Sequence, residues 1–171
     1  MKALLLAVLL LPGSAFAGTL DFKRNGKVVK SFSVEEVRQG KLGKTKVVEA
    51  ELFNAWRGYS RVYVGYDFFK VLDAVYGKKW RKSTMIKFVA TDGYLSHSNT
   101  KPMLKAAAGK TGLISYKEKD KEGFTVFKKG DKEIDPGPLY LVWSNFSESD
   151  RAAYADILKW PYQLKEIDVA D

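Results

Sequence analysis

The chain of 171 residues contains no cysteine. Without a thiol it can form no disulfide, thiolate-bound metal site, iron–sulfur cluster or thioether-linked haem. Histidine is nearly as scarce, because His97 is the only one. A Ser-His-Asp triad would need His97 together with Asp92 and a serine beside the histidine, and alternation along a strand scatters such side chains over both faces. The sequence therefore disfavours both thiol chemistry and triad chemistry.

Other common signatures are absent as well. Neither Gly-x-Gly-x-x-Gly nor Walker-type spacing occurs, so no loop is built to cradle a phosphate. No pair of carboxylates has a spacing that demands glycosidase chemistry. Beyond the first residues, Lys, Arg or Glu interrupts every apolar run before it reaches the length of about 20 residues that a membrane-spanning helix needs. We expect the domain that follows to be soluble.

The amino-terminal residues have the order of a cleavable secretory signal peptide. Lys2 precedes an apolar run at residues 3–11, and a small-x-small sequence follows at residues 15–17. The apolar run is too short to cross a hydrocarbon core of about 30 Å. We therefore expect residues 1–17 to be a signal peptide, residues 18–171 to form a single domain, and the protein to work in the periplasm.

The formal net charge of +9 raises the question of a nucleic-acid partner. The basic residues are dispersed, however, and acidic residues lie among them at 117–122 and 128–133. This pattern is typical of a solvated charged surface, and export would also remove the usual nucleic-acid targets. We expect no nucleic acid as partner.

Strands dominate the sequence pattern, with short helices between them. Asn25-Gly26 predicts a β-hairpin over residues 19–32, and Ser33 with Glu36 has the form of a capping box before a helix at 34–39. Asp67 is a predicted cap for a helix that Gly77 ends. Further helices are predicted at 103–108 and 150–159, further strands at 46–53, 85–90, 94–97, 139–143 and 162–169, and a pairing of 113–116 with 124–127. The pattern predicts an α+β fold with a mixed β-sheet.

Soft-metal ligands are few. His97 and Met103 could offer an imidazole and a thioether to copper, with Met85 as a further thioether, or hold a haem without a covalent link. Both methionines also fit apolar patterns, Met85 in a strand and Met103 in a helix, which favours core packing.

Aromatic residues are the most distinctive feature, and they crowd two stretches. A thick aromatic core would explain them. So would a ligand pocket lined by aromatic rings and edged by Arg57, Arg61 and Lys101. The two stretches contain Trp56, Tyr59, Tyr63, Tyr66, Phe68 and Phe69, and then Tyr140, Trp143, Phe146, Tyr154, Trp160 and Tyr162.

Five segments occur in a recognisable order: the turn at 56–59, the helix at 66–76, the strand and turn at 86–94, Gly-Pro-Leu-Tyr-Leu-Val-Trp at 137–143, and Trp-Pro-Tyr-Gln-Leu-Lys-Glu-Ile at 160–167. In this order they resemble the molybdopterin-binding domain of the sulfite oxidase type. The most specific parts are Ala-Thr-Asp-Gly-Tyr at 90–94 and Trp-x-x-Gln-Leu-x-x-Ile at the end. The resemblance covers residues 47–169 and implies a sulfite-oxidase-like fold.

Enzymes of that family hold molybdenum through the pterin dithiolene and one protein cysteine. The stretch in which that cysteine would fall here, residues 47–55, contains none. The resemblance therefore implies a short exported relative that keeps the fold without the metal ligand. We expect no cofactor and no inherited enzyme activity, but a non-catalytic domain that binds a small molecule or serves a periplasmic or membrane-bound sensor or redox protein.

The alternative is a periplasmic oxidoreductase that binds a pterin, haem or copper cofactor without cysteine ligation. A cavity near the former cofactor site would be framed by Arg57, Arg61, Asp92, Tyr94, His97 and Lys101. The two arginines would bind a phosphate, and His97 would act as acid, base or ligand. A structural interpretation also exists for the turn, in which Gly93 has a positive φ, Asp92 bonds its own backbone and Tyr94 belongs to the core.

Overall fold

Two β-sheets build most of the protein, whose computed structural model describes residues 18–171. The predicted signal peptide at residues 1–17 lies outside the described residues. In chain order the elements are β1 (Thr19–Arg24), β2 (Lys27–Ser33), α1 (Val34–Arg38), β3 (Val47–Asn54), β4 (Tyr59–Asp67), α2 (Phe68–Tyr76), β5 (Met85–Ala90), β6 (Leu95–Asn99), α3 (Thr100–Ala106), β7 (Gly112–Glu118), β8 (Phe127–Lys129), β9 (Lys132–Ile134), β10 (Tyr140–Trp143), α4 (Glu148–Tyr154) and β11 (Leu164–Ala170).

The first sheet has five strands in the order β2-β1-β11-β5-β6. β1 and β11 run parallel, with Asp21 opposite Glu166, and the other neighbours are antiparallel. Alternate side chains on its inner face are fully buried, among them Phe22, Ile86 and Ile167. The period-2 pattern thus buries one face against the core and leaves the other to solvent.

Local sequence signals explain the first elements. Asn25 and Gly26 both have positive φ, which closes the predicted hairpin between β1 and β2. The capping box at the start of α1 is also present, since Ser33 Oγ accepts from the Glu36 N–H at 3.1 Å and Glu36 Oε2 accepts from the Ser33 N–H at 2.7 Å. Both predictions are confirmed.

The second sheet has four strands in the order β10-β7-β4-β3. Its two central strands approach very closely at Gly65, where an added Cβ would lie 2.3 Å from the Ile114 carbonyl oxygen. Ser115 Oγ donates to the Val64 carbonyl at 2.9 Å across the same strand pair. The absence of a side chain at Gly65 is what allows β4 and β7 to pair here.

An aromatic core joins the two sheets through α2. The Asp67 carboxylate accepts from the Lys70 N–H at 2.9 Å and caps α2, as predicted. Phe69 stacks on Trp80 at 5.7 Å between ring centroids and meets Trp143 edge-on at 5.7 Å. The Trp143 indole also donates to the Lys159 carbonyl at 2.9 Å, so its buried polar atom is satisfied.

The predicted pairing of residues 113–116 with 124–127 is wrong. β7 pairs with β4 and β10, while Phe127 pairs with Ile134 in a separate two-stranded ribbon of β8 and β9. The buried Glu118 carboxylate accepts from the Thr125 N–H at 3.0 Å and from its hydroxyl at 2.7 Å. These bonds fold residues 118–125 into a compact loop, so no strand returns along β7.

Several boundaries also differ from the sequence pattern, and the helix predicted at 103–108, for example, spans Thr100–Ala106. The predicted helix at 150–159 ends at Tyr154, because the following segment turns inward and places Leu158 in the core. The last strand begins at Leu164, two residues later than expected, since Gln163 has a positive φ and its N–H donates to the Pro136 carbonyl at 2.8 Å. The described chain is nevertheless one α+β unit, as predicted, and its five-stranded sheet is mixed while the four-stranded sheet is antiparallel. None of the helices in residues 18–171 has both the length and the apolar character needed to span a membrane.

Candidate functional site

A cleft of about 560 Å³ lies against residues from both large sheets and from the segment between α4 and β11. The turn after β3 and the turn after β5 supply one part of its wall, and β8 and β10 supply another. Its size is within the range of small-molecule sites. The lining residues are Trp56, Arg57, Ala90, Asp92, Tyr94, Ser96, Lys129, Tyr140, Ala155, Asp156, Lys159, Trp160, Pro161 and Tyr162.

Aromatic rings form much of the cleft wall. Tyr140 and Trp160 meet edge to face at 6.2 Å between ring centroids. Tyr162 meets Phe127 of β8 in the same way at 5.7 Å, which fixes the β8–β9 ribbon beside the cleft. Trp56 and Tyr94 also line the cleft, yet 41% and 65% of their surface is exposed. The wall offers flat apolar faces to a planar ligand.

Cations edge this aromatic wall. The Arg57 guanidinium stacks over the Phe127 ring at 3.6 Å from the centroid. Lys159 pairs with Asp156 at 3.0 Å. Within residues 18–171, neither Arg57 nor Lys129 has a carboxylate at ion-pair distance. The positive charge of these two side chains is therefore available to a bound molecule.

Two buried hydrogen-bonding atoms in the cleft lining have no partner, Ser96 Oγ and Trp160 Nε1. A second serine and a second tryptophan nearby do have hydrogen-bond partners. Ser98, on the same face of β6, donates to the Ile157 carbonyl at 2.6 Å, and the Trp143 indole donates to the Lys159 carbonyl. A buried donor left without a partner costs about 1–3 kcal/mol, so such atoms are rare in folded proteins.

The Tyr140 phenol lies in the same wall and is held neutral. Its oxygen accepts from the Asn54 amide at 3.4 Å. Burial raises the pKa of Tyr140 above its ordinary value, and burial together with the neighbouring Tyr140 does the same to the pKa of Tyr63. Tyr140 can therefore donate or accept a hydrogen bond near neutral pH but is not a base.

Three of the residues predicted for a site come together in the cleft, namely Arg57, Asp92 and Tyr94. The predicted turn chemistry is present, because Asp92 Oδ1 accepts from the Tyr94 N–H at 2.9 Å and Gly93 has a φ of 86°. The interpretation of Tyr94 as a core residue is wrong. Its ring stands exposed at the cleft because the turn after β5 carries it away from the sheet.

The other three predicted residues do not line the cleft. Arg61 lies 3.7 Å from the Glu118 carboxylate and stacks over Tyr59 at 4.6 Å, so it holds the 118–125 loop. His97 is exposed on the face of β6 opposite Ser96, and Lys101 is exposed at the start of α3. The alternation expected for this strand thus separates His97 from the serines on either side of it.

The structure does not bring His97 and Met103 together as metal ligands. Met103 is fully buried in the main core, whereas His97 faces solvent. No cluster of three His, Cys, Asp or Glu side chains suited to a metal ion occurs in residues 18–171. The chain has no thiolate for molybdenum, and the unpartnered indole of the cleft can only donate a hydrogen bond. The cleft residues therefore do not fit a molybdenum ligand set.

Sequence reasoning missed Ser96, Lys129, Lys159 and the role of Trp160. Ser96 was visible only as one of two serines flanking a histidine, and Lys129 lies within a charged run. The comparisons with known proteins add no relative: no family model matches the sequence, and no curated protein matches it.

Proposed function

We propose that this chain is an exported, non-catalytic binding domain with the sulfite-oxidase-type fold, and that the cleft binds a small planar molecule that carries negative charge. The observation that carries the proposal is the composition of the cleft. Aromatic residues, Arg57 and Lys129 without a carboxylate at ion-pair distance, and two residues with unpartnered buried donors all line the cleft. Residues 18–171 contain no group of three His, Cys, Asp or Glu side chains that could hold a metal ion beside them.

The fold assignment is supported by where the resembling segments lie. Four of the five segments contribute to the cleft: Trp56 and Arg57 from the first, Asp92 and Tyr94 from the third, and residues 140 and 160–162 from the last two. Segments far apart in sequence that share one site fit an ancestral binding function. The missing cysteine is consistent with a site that has kept its pocket without the metal.

An accessory role beside a membrane-bound sensor or redox protein is supported by the surface around the cleft. Trp56 is 41% exposed, and the Arg151 guanidinium lies 5.7 Å from its ring. Exposed tryptophan, tyrosine and arginine are the residue types most enriched at the centres of protein interfaces. We propose that a partner protein contacts this edge of the cleft and senses whether it is filled.

The test is to produce the full chain in a bacterial host, purify it from the periplasm and analyse it by native mass spectrometry. After denaturation, released small molecules and metals are measured. We expect a released organic anion without molybdenum, copper or haem. Stoichiometric molybdenum together with a pterin would instead support a cofactor-dependent oxidoreductase and overturn the non-catalytic role.

A matched pair of variants locates the site. Arg57→Ala removes a cation from the cleft wall, whereas Arg61→Ala removes one that is bound to Glu118 outside it. We expect Arg57→Ala to weaken binding about fivefold, as the loss of about 1 kcal/mol implies. Arg61→Ala should leave binding within twofold. Equal effects of the two variants would contradict the cleft as the site.

A further inference from the structure

The two unpartnered donors of the cleft both belong to residues that line it. Ser96 is 7% exposed and its Oγ is fully covered. Ser98, two residues further along the same face of β6, donates to the Ile157 carbonyl at 2.6 Å. This bond fixes β6 against the segment that reaches Trp160 three residues later. The bond therefore connects the strand that carries Ser96 to the segment that leads to Trp160.

The chemistry of these atoms selects a hydrogen-bond acceptor. An indole N–H can only donate, and a serine hydroxyl can turn its proton toward the same acceptor. One group that accepts from both needs lone pairs in several directions, as the oxygens of a carboxylate or phosphate provide. Hydrogen bonds to such charged acceptors are also shorter and stronger than bonds between neutral groups.

The surrounding charges favour an anion over a neutral carbonyl. Arg57 and Lys129 line the cleft without ion-pair partners in residues 18–171. The two acidic residues of the lining are engaged, since Asp156 pairs with Lys159 at 3.0 Å and Asp92 accepts from the Tyr94 N–H. Three cations, Arg57, Lys129 and Lys159, face two carboxylates in the lining, so a negative group would meet a net positive charge together with unsatisfied donors.

From this arrangement we infer that Ser96 and Trp160 form an oxyanion subsite, in which Ser96 Oγ–H and Trp160 Nε1–H donate to a carboxylate or phosphate of the bound molecule while its planar part lies against the aromatic wall. The inference rests on the proposed binding function and adds the chemical group that the cleft recognises. The subsite accounts for why these two buried donors lack a protein partner.

Aromatic probes that differ only in the polar group test the subsite. Binding of naphthalene-2-carboxylate, 2-naphthyl phosphate and naphthalene-2-carboxamide to the full chain is measured by isothermal titration calorimetry. We expect the charged probes to bind at least tenfold more tightly than the amide. Comparison of the carboxylate with the phosphate shows which of the two anions the cleft prefers.

Two substitutions remove the donors, and two matched ones remove satisfied donors of the same kind. Ser96→Ala and Trp160→Phe should each weaken binding of the preferred anion about tenfold and leave amide binding within twofold. Ser98→Ala and Trp143→Phe remove bonds made within the protein. Ser98→Ala should lower the melting temperature by about 2–4 °C, and Trp143→Phe should lower it further because it also leaves a cavity in the core. Both should leave anion binding unchanged.

The outcomes separate the subsite from the binding function. If Ser96→Ala and Trp160→Phe leave anion affinity unchanged while Arg57→Ala weakens it, the cleft binds anions without the subsite and the inference is wrong. If no probe binds at 10 mM concentrations, roughly the weakest binding that calorimetry detects, both the inference and the binding function fail. Ser96→Ala should not lower the melting temperature, because the hydroxyl it removes has no partner; a loss as large as that of Ser98→Ala would also refute the inference.

Discussion

Gly65 is the position at which a single methyl group should damage the fold most. Its Cβ, if present, would lie 2.3 Å from the Ile114 carbonyl oxygen and 2.6 Å from the Ser115 Cα. Both of these are backbone atoms of β7, so no side chain can move aside to make room. Gly65→Ala therefore requires β4 and β7 to separate at the middle of the four-stranded sheet.

The size of the effect follows from the distance. An ordinary contact of a Cβ atom begins near 3.4 Å, so the strands must part by about 1 Å, which stretches the adjacent backbone hydrogen bonds beyond useful length. Loss of about two such bonds at roughly 1 kcal/mol each, with about 1–3 kcal/mol of overpacking, gives about 3–5 kcal/mol. That is a large part of the 5–15 kcal/mol by which folded domains are typically stable.

Urea unfolding at 25 °C, followed by tryptophan fluorescence, measures this difference. Gly123→Ala is the control, since no atom lies within 4 Å of its added Cβ and its φ is ordinary. We expect the control to change the free energy of unfolding by less than about 0.5 kcal/mol. A Gly65→Ala protein within 1 kcal/mol of the natural chain would refute the close approach of β4 and β7.

Three further predictions concern ionisable groups. Hydrogen bonds from Ser147, chiefly from its backbone N–H, lower the pKa of Asp150. Its charge therefore stabilises the fold above about pH 4, and this gain is lost as pH falls through the lowered pKa, so Asp150→Asn should lower the melting temperature more at pH 7 than at pH 2.5. Burial raises the pKa of Tyr66 to about 12, so the unfolded chain loses a proton that the folded chain keeps above about pH 10. Tyr66→Phe should therefore reduce the fall in urea midpoint between pH 9 and pH 11. Glu118→Gln should speed tryptic cleavage of residues 119–121 without changing cleft affinity, because Glu118 holds that loop through Thr125.

Predictions from the sequence succeed where a few adjacent residues decide the structure. Asn25-Gly26 can close a hairpin, Ser33 with Glu36 can cap a helix, and Asp67 can cap another, whatever the rest of the chain does. The pairing of residues 124–127 fails because it depends on Glu118, whose carboxylate accepts hydrogen bonds seven residues away and turns a predicted strand into a loop.

The cleft was harder to predict for the same reason. Arg57 and Asp92 could be proposed because each lies in a distinctive turn. The sequence cannot show that the Ser96 hydroxyl lacks a hydrogen-bond partner. Ser98 lies on the same face of β6, and it has a partner only because the Ile157 carbonyl is within reach. Likewise, nothing in a list of cations distinguishes Arg57 from Arg61, although Glu118 neutralises the second and not the first.

The last strand of the fold occupies the middle of the five-stranded sheet. β11 lies between β1 and β5. The Tyr76 hydroxyl donates toward the Lys23 carbonyl of β1 and the Ile167 carbonyl of β11. β1 and β5 are synthesised before β11, so each has one edge without a hydrogen-bonded neighbour until β11 pairs with it. Such open strand edges are the usual templates for aggregation. A shortened chain would leave both edges open permanently. The five-stranded sheet therefore cannot form until residues 164–170 have been synthesised.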